Sequence, residues 1–178
     1  EDEAKQLQKE KQYIVKEVKP NTAKPWRRVV PSPEPIDIVE KQSINALLAA
    51  DNIVIASGGG GIPVVREERT FSGVDAVIDK DLASAKLAGE VGVDMFMIAT
   101  DVPGAALNYG GTGEKFLRSM TVAEAEKYHK EGHFPPGSMG PKVQGAINFK
   151  RAGGKLAVIC SIGEIEKAAV QKAGTLIY

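Results

Sequence analysis

The stretch Gly73-Val74-Asp75-Ala76-Val77-Ile78-Asp79-Lys80-Asp81-Leu82-Ala83, with the residues that follow it, decides the fold class. Residues 74–78 read as a short buried strand, and a helix is expected from Asp79 to about Val91. Asp94-Met95-Phe96-Met97-Ile98-Ala99 then reads as a second buried strand. Strand, helix and strand in this order make a crossover unit, which belongs to parallel sheets covered on both faces.

The pattern continues outward. Upstream, Val39, Ile44, Leu47 and Leu48 suit a helix, and residues 52–57 form a compact β-branched run that reads as a strand. Downstream, Thr121-Val122-Ala123-Glu124 has the form of a capping box, opening a helix through Lys130 with Gly132 as its stop. Ser138 is expected to cap the next helix, with Pro141 in its first turn and Gly153-Gly154 at its end. Residues 155–160 read as a strand, 164–172 as a helix and 174–178 as a last strand. The expected class is α/β, three layers (αβα) around a mainly parallel central sheet.

The first 35 residues are different, because they carry little apolar mass. Residues 3–12 read as a surface helix with Leu7 its only large apolar side chain, and 13–18 and 27–30 as short strands. Lys19-Pro20-Asn21-Thr22-Ala23-Lys24-Pro25 is a loop, and Pro31-Ser32-Pro33-Glu34-Pro35 a stop. Two parts are therefore expected: an extension or small subdomain (1–35) and an α/β domain (36–178).

Charge and composition remove several function classes. The chain has 23 Lys plus Arg against 23 Asp plus Glu, so no bulk charge directs it to nucleic acid or an anionic membrane. The longest apolar runs are too short to cross a bilayer. A single cysteine, Cys160, permits no internal disulfide and suits a reducing compartment, so a cytoplasmic setting is expected. The charged start and the missing initiator methionine suggest a chain that begins partway through something longer.

Ligands of open α/β sheets bind beyond the carboxyl ends of the strands, where three informative segments fall. Ser57-Gly58-Gly59-Gly60-Gly61-Ile62-Pro63 follows an expected strand, and its bare backbone admits an anion as readily as it makes a flexible turn. It is neither a Walker A loop nor a dinucleotide fingerprint, lacking Gly-Lys-Ser/Thr and carrying Pro63 in place of the third glycine. At Asp79-Lys80-Asp81 an aspartate suits a helix start, whereas a lysine there opposes the dipole unless an anion lies between. Gly137-Ser138-Met139-Gly140-Pro141-Lys142 repeats this anomaly. Two lysines against two helix dipoles suggest a shared polyanion, and a phosphoryl group in transfer is one. The ordinary alternative is an exposed lysine paired with its neighbouring aspartate. His129 and His133 lack the glutamate of a zinc-protease motif and read as a surface pair without metal. Cys160 reads as a small core residue.

These segments, read together, resemble the carbamate kinases of the amino-acid kinase superfamily. The resemblance rests on Trp26-Arg27-Arg28-Val29-Val30-Pro31-Ser32-Pro33, Ile38-Val39-Glu40, Gly58 to Val64, Gly73 to Ala83, Thr100-Asp101-Val102, Glu131-Gly132-His133-Phe134 and Gly137 to Val143, in the family's order. It implies that Lys80 and Lys142 neutralise the transferring phosphoryl group and that Asp81 organises them. It implies that Gly58, Gly59 and Gly60 face the carbamate or carbamoyl phosphate end. Thr100, Asp101, Val102, Tyr109, Ser138 and Met139 would line the nucleotide site, making residues 36–178 a nucleotide-binding domain and 1–35 part of a lid-like subdomain. The implied reaction is reversible phosphoryl transfer between ADP plus carbamoyl phosphate and ATP plus carbamate, with Mg²⁺ accompanying ATP or ADP. No residue of this chain is assigned as a metal ligand, and neither nucleic acid nor membrane is an implied partner. The resemblance also implies a homodimer, with much of its interface in an N-terminal portion that is absent here. Asn108-Tyr109-Gly110-Gly111 and the loop at 18–25 depart from the family's usual wording. A non-catalytic nucleotide-binding fragment is the alternative. An acetylglutamate or uridylate kinase is a further one, against which the wording around Lys142 argues.

Overall fold

The computed structural model describes residues 2–18 and 20–178, apart from the side chain of Leu7. Lys19, the first residue of the expected loop, and the Leu7 side chain thus lie outside the described residues. In chain order the elements are α1 (Asp2–Lys11), β1 (Val15–Glu17), β2 (Trp26–Arg28), α2 (Lys41–Ala49), β3 (Val64–Glu67), β4 (Thr70–Gly73), α3 (Lys80–Val91) and β5 (Met95–Thr100). They continue with β6 (Ala106–Leu107), β7 (Lys115–Phe116), β8 (Ser119–Met120), α4 (Val122–Lys130), α5 (Met139–Arg151), β9 (Leu156–Ser161), α6 (Ile165–Ala169) and β10 (Thr175–Ile177).

The chain divides into two compact units. The smaller comprises Glu1–Pro33 and Ile62–Val77, and so includes residues that sequence reading assigned to the larger domain. Within it β1 pairs antiparallel with β2, and β3 with β4. The Arg28 guanidinium lies 3.9 Å from the centroid of the Tyr13 ring and donates to Asp75 Oδ2 at 2.6 Å. The contact to Asp75 joins the two sequence segments of the unit.

The larger unit, Glu34–Gly61 with Ile78–Tyr178, holds a four-stranded sheet in the order β5-β9-β10-β8. β5 and β9 pair in parallel over their whole length, β10 and β8 pair in parallel through Leu176 and Ile177, and β9 and β10 are antiparallel. Alternation along these strands sends side chains to two faces. Phe96, Ile98, Ala157, Ile159 and Ile177 pack with Val143, Ala146, Ile147 and Phe149 of α5, Ala85 and Ala88 of α3 and Ala125 of α4. Val158 and Cys160 point the other way, onto Ala168 of α6 and Ala173. Burying Phe149 completely contributes roughly 1.5–3 kcal/mol, and Phe96 meets its ring at 5.5 Å between centroids. The αβα class holds, and the chain carries it on a mixed sheet.

Two expected strands are absent. Residues 52–57 form no ladder, and Ile53 and Ile55 are each 97% exposed. Residues 74–78 are likewise irregular. A strand exists only with a partner, and no described segment pairs with either run. The expected helix at 164–172 shortens to a 3₁₀ turn at Ile162–Glu164 followed by α6. The capping box is as read: Thr121 Oγ1 accepts from the Glu124 N–H at 3.2 Å, and Glu124 Oε2 accepts from the Thr121 N–H at 2.8 Å.

Candidate active site

Helices α3 and α5 precede the parallel strands β5 and β9, so both helix N-termini lie at the edge where those strands end. The start of α3 is fixed by Asp79. Its Oδ1 accepts from the backbone N–H of Asp81 at 2.8 Å and of Leu82 at 3.3 Å, satisfying two groups the helix leaves orphaned. This places Asp81 on the inner side of the first turn, buried, and Lys80 on the outer side.

The start of α5 is built differently. Ser138 occupies the cap position with φ −144° and ψ −85° but makes no side-chain cap bond, contrary to expectation. The Pro135 carbonyl accepts instead from the N–H of Ser138 at 3.2 Å and of Gly140 at 2.8 Å. The Ser138 hydroxyl is therefore free of capping duty and exposed, while the Met139 side chain packs into the core. Nearly two turns on, Gly145 lets the helices meet: a Cβ there would lie 3.0 Å from the Asp81 carbonyl oxygen.

This close approach carries Lys142 to Asp81. Its Nζ lies 2.9 Å from Asp81 Oδ2, with both side chains almost fully buried (12% and 9% exposed). Lys80 Nζ reaches the same oxygen at 3.2 Å with its side chain 57% exposed. The two contacts have different weights. Removing one partner of a buried pair costs about 3–5 kcal/mol, whereas a half-exposed pair contributes about 0–1 kcal/mol. Lys142–Asp81 is thus the tightly held contact, and Lys80–Asp81 the loosely held one. Desolvation pulls the Lys80 pKa down, but the hydrogen bond to Asp81 and the charges of Asp81 and Asp79 outweigh it and hold Lys80 above its ordinary value. It is a cation at neutral pH.

The glycine-rich loop abuts this group. Gly60 is buried at φ +127°, and a Cβ there would overlap the Ile78 carbonyl oxygen and sit 3.5 Å from the Lys80 amide nitrogen. No other residue fits that backbone. Gly58 and Gly59 are exposed beside it, with open space where a side chain would be. A second group follows β5. Thr100 ends the strand and donates to Asp101 Oδ1 at 3.1 Å, Val102 packs against the core, and Tyr109, half-exposed, lies in the β6–β7 connection.

The description of the amino acid kinase family matches residues 4–161, nearly the whole chain. The chain belongs to the amino acid kinase family. Within that kinase family it is similar to the carbamate kinase of Pyrococcus horikoshii, with 53% identity over 98% of this chain and 54% of that protein. It is similar also to the carbamate kinase of Pyrococcus furiosus, with 52% identity over 99% of this chain and 55% of that one. Among solved structures, the carbamate kinase of Giardia lamblia bound to AMP-PNP superposes with a TM-score of 0.90 and 44% identity, over 99% of this chain and 56% of that one. The chain spans about half the length of the relatives it matches.

Sequence reading saw Lys80, Asp81 and Lys142 but not how they are held. Which aspartate caps α3, Gly145 as the contact point and Gly60 as the close approach appear only in three dimensions. A glycine in mid-helix was the available signal for Gly145. A groove of about 480 Å³ lies over α3 and α5, lined by Leu82, Ala85, Gly89, Glu90, Arg151 and others, and contains none of the candidate site residues. No helix among the described residues is long and apolar enough to cross a membrane.

Proposed function

We propose that this chain carries the nucleotide-binding part of a carbamate kinase, which moves a phosphoryl group reversibly between carbamoyl phosphate and ADP. The observation that carries the reading is the convergence of Lys80 and Lys142 on one oxygen of Asp81 at two helix starts. In the ATP-forming direction the P–O bond to carbamate breaks and a new one forms to a terminal oxygen of ADP. The peripheral oxygens of the phosphoryl group carry the charge in between. Fixed cations stabilise that charge without reorganising. Asp81 keeps the two ammonium groups from repelling each other before the phosphoryl group arrives, and Lys80 is exposed enough to turn toward it.

Gly58, Gly59 and Gly60 face the carbamoyl phosphate end in this reading: Gly60 abuts the Lys80 amide, and Gly58 and Gly59 leave exposed backbone beside it. Thr100, Asp101, Val102, Tyr109, Ser138 and Met139 line the nucleotide, with Ser138 offering a hydroxyl that capping does not use. Among the described residues no group of three or more His, Cys, Asp or Glu is arranged to hold a metal ion. Mg²⁺ is expected to arrive with the nucleotide, and bound beside Lys80 and Lys142 it would supply further neutralisation of phosphate charge. The reading carries with it a cytoplasmic setting, which the single cysteine suits, and a homodimer, to which the resemblance points.

The test is ATP formation by the purified chain from ADP, Mg²⁺ and carbamoyl phosphate, with ADP binding measured in parallel. Turnover supports the reading in full. Binding without turnover leaves a nucleotide-binding fragment, consistent with a chain half as long as its relatives. Failure to bind any nucleotide would contradict both.

A further inference from the structure

Thr175 begins β10, three residues from the last, and no motif marks it. Its side chain is fully buried, and its hydroxyl is used twice. It accepts from the Ala105 N–H at 2.9 Å and donates to the Leu117 carbonyl at 2.5 Å. Leu117 in turn donates its own N–H to the Ala105 carbonyl at 2.8 Å. Ala105 and Leu117 are the residues that flank the β6–β7 hairpin at its base. One hydroxyl therefore closes that base.

Two segments leave this point. Going back along the chain, Gly104 and Pro103 lead to Val102, Asp101 and Thr100; going forward, the hairpin leads to Tyr109. Gly104 makes the fit tight: it is buried, and a Cβ there would overlap Thr175 Oγ1 and lie 3.1 Å from the Thr175 nitrogen. Arg118 fixes the approach to β10, donating to the carbonyls of Gly174 at 2.6 Å and Gln171 at 2.5 Å. Thr175 cannot shift without moving both segments.

We propose that Thr175 is a positioning residue for nucleotide binding, setting the loop at 101–105 and the β6–β7 hairpin through its buried hydroxyl. The inference rests on the nucleotide-site reading given above. Valine has the shape of threonine without the hydroxyl. In its place the Ala105 N–H would be buried without a partner, and the loop would move to regain one.

The experiment is titration of the 178-residue chain with a fluorescent N-methylanthraniloyl ADP at a temperature well below unfolding. Thr175→Val is expected to weaken binding about tenfold, the scale of one buried hydrogen bond, while Thr175→Ser stays within about twofold of the unaltered chain. Cys160→Ala, on the opposite face of the sheet, should lower the unfolding temperature without changing affinity. Should Thr175→Val fail to fold, Gly104→Ala carries the same expectation, because its methyl group meets the same hydroxyl from the loop side. A folded Thr175→Val or Gly104→Ala chain with unchanged affinity overturns this inference alone. Equal weakening by Cys160→Ala overturns it too, by showing general loosening. No binding by the unaltered chain overturns it together with the nucleotide-site reading.

Discussion

The starts of α3 and α5 contribute the same residue type to one site, by opposite means. At α3 a carboxylate caps the helix and the lysine stands outside, half in solvent. At α5 the serine does not cap, a backbone carbonyl does that work, and the lysine is buried. The difference separates holding from handling. A buried lysine bound to a buried carboxylate cannot leave without a large cost, so Lys142 and Asp81 form the fixed frame. An exposed lysine sharing the same oxygen can exchange that contact for another anion at little cost.

The comparison predicts unequal losses. The largest stability effect belongs to Asp81→Ala, which strands Lys142 as a buried cation and should lower unfolding stability by about 3–5 kcal/mol in a denaturant titration. Lys80→Ala, measured in the same way, should change stability by less than about 1 kcal/mol. Equal losses would erase the distinction between frame and mobile cation. Next is the pair of caps: Asp79→Ala should cost about 1 kcal/mol, and Ser138→Ala a few tenths at most. A full cap's loss at Ser138 would mean that its hydroxyl caps α5 after all.

The smallest effect concerns α4, whose capping box is the ordinary helix start against which the other two stand out. The backbone N–H of Thr121, then its hydroxyl, hold the Glu124 carboxyl below its usual value of 4.5. A lowered folded-state pKa gives stability that is fully present above 4.5 and is lost as pH falls through the folded value. Glu124→Gln should flatten that part of the acid unfolding curve, and an unchanged curve would remove the carboxylate from the cap.

The α/β class, the helix starts and the lysine anomaly were legible because each is local. Dipoles, caps and periodicity act within a turn or two of the residue that shows them. Residues 52–57 and 74–78 misled because a β-branched run reads the same whether or not a partner strand lies beside it. The antiparallel pairing of β9 and β10 and the short hairpins depend on register between distant segments, which propensity does not encode. Ser138 misled in another way: it has the right residue type in the right place, but the Pro135 carbonyl takes the Gly140 N–H and Pro141 has none to offer. Gly145 and Thr175 act on residues 64 and 58–70 positions away; a mid-helix glycine hints at the first, and nothing in its neighbourhood announces the second.

The central claim is that Lys80 and Lys142 act on the phosphoryl group in transfer, and kinetics tests it most directly. In a chain that turns over, kcat and the Kd for ADP are measured for Lys80→Ala and Lys142→Ala. A charge that matters most in the transition state predicts kcat lower by about a hundredfold or more, with Kd changed only a few-fold. Unchanged kcat in both variants would contradict the account.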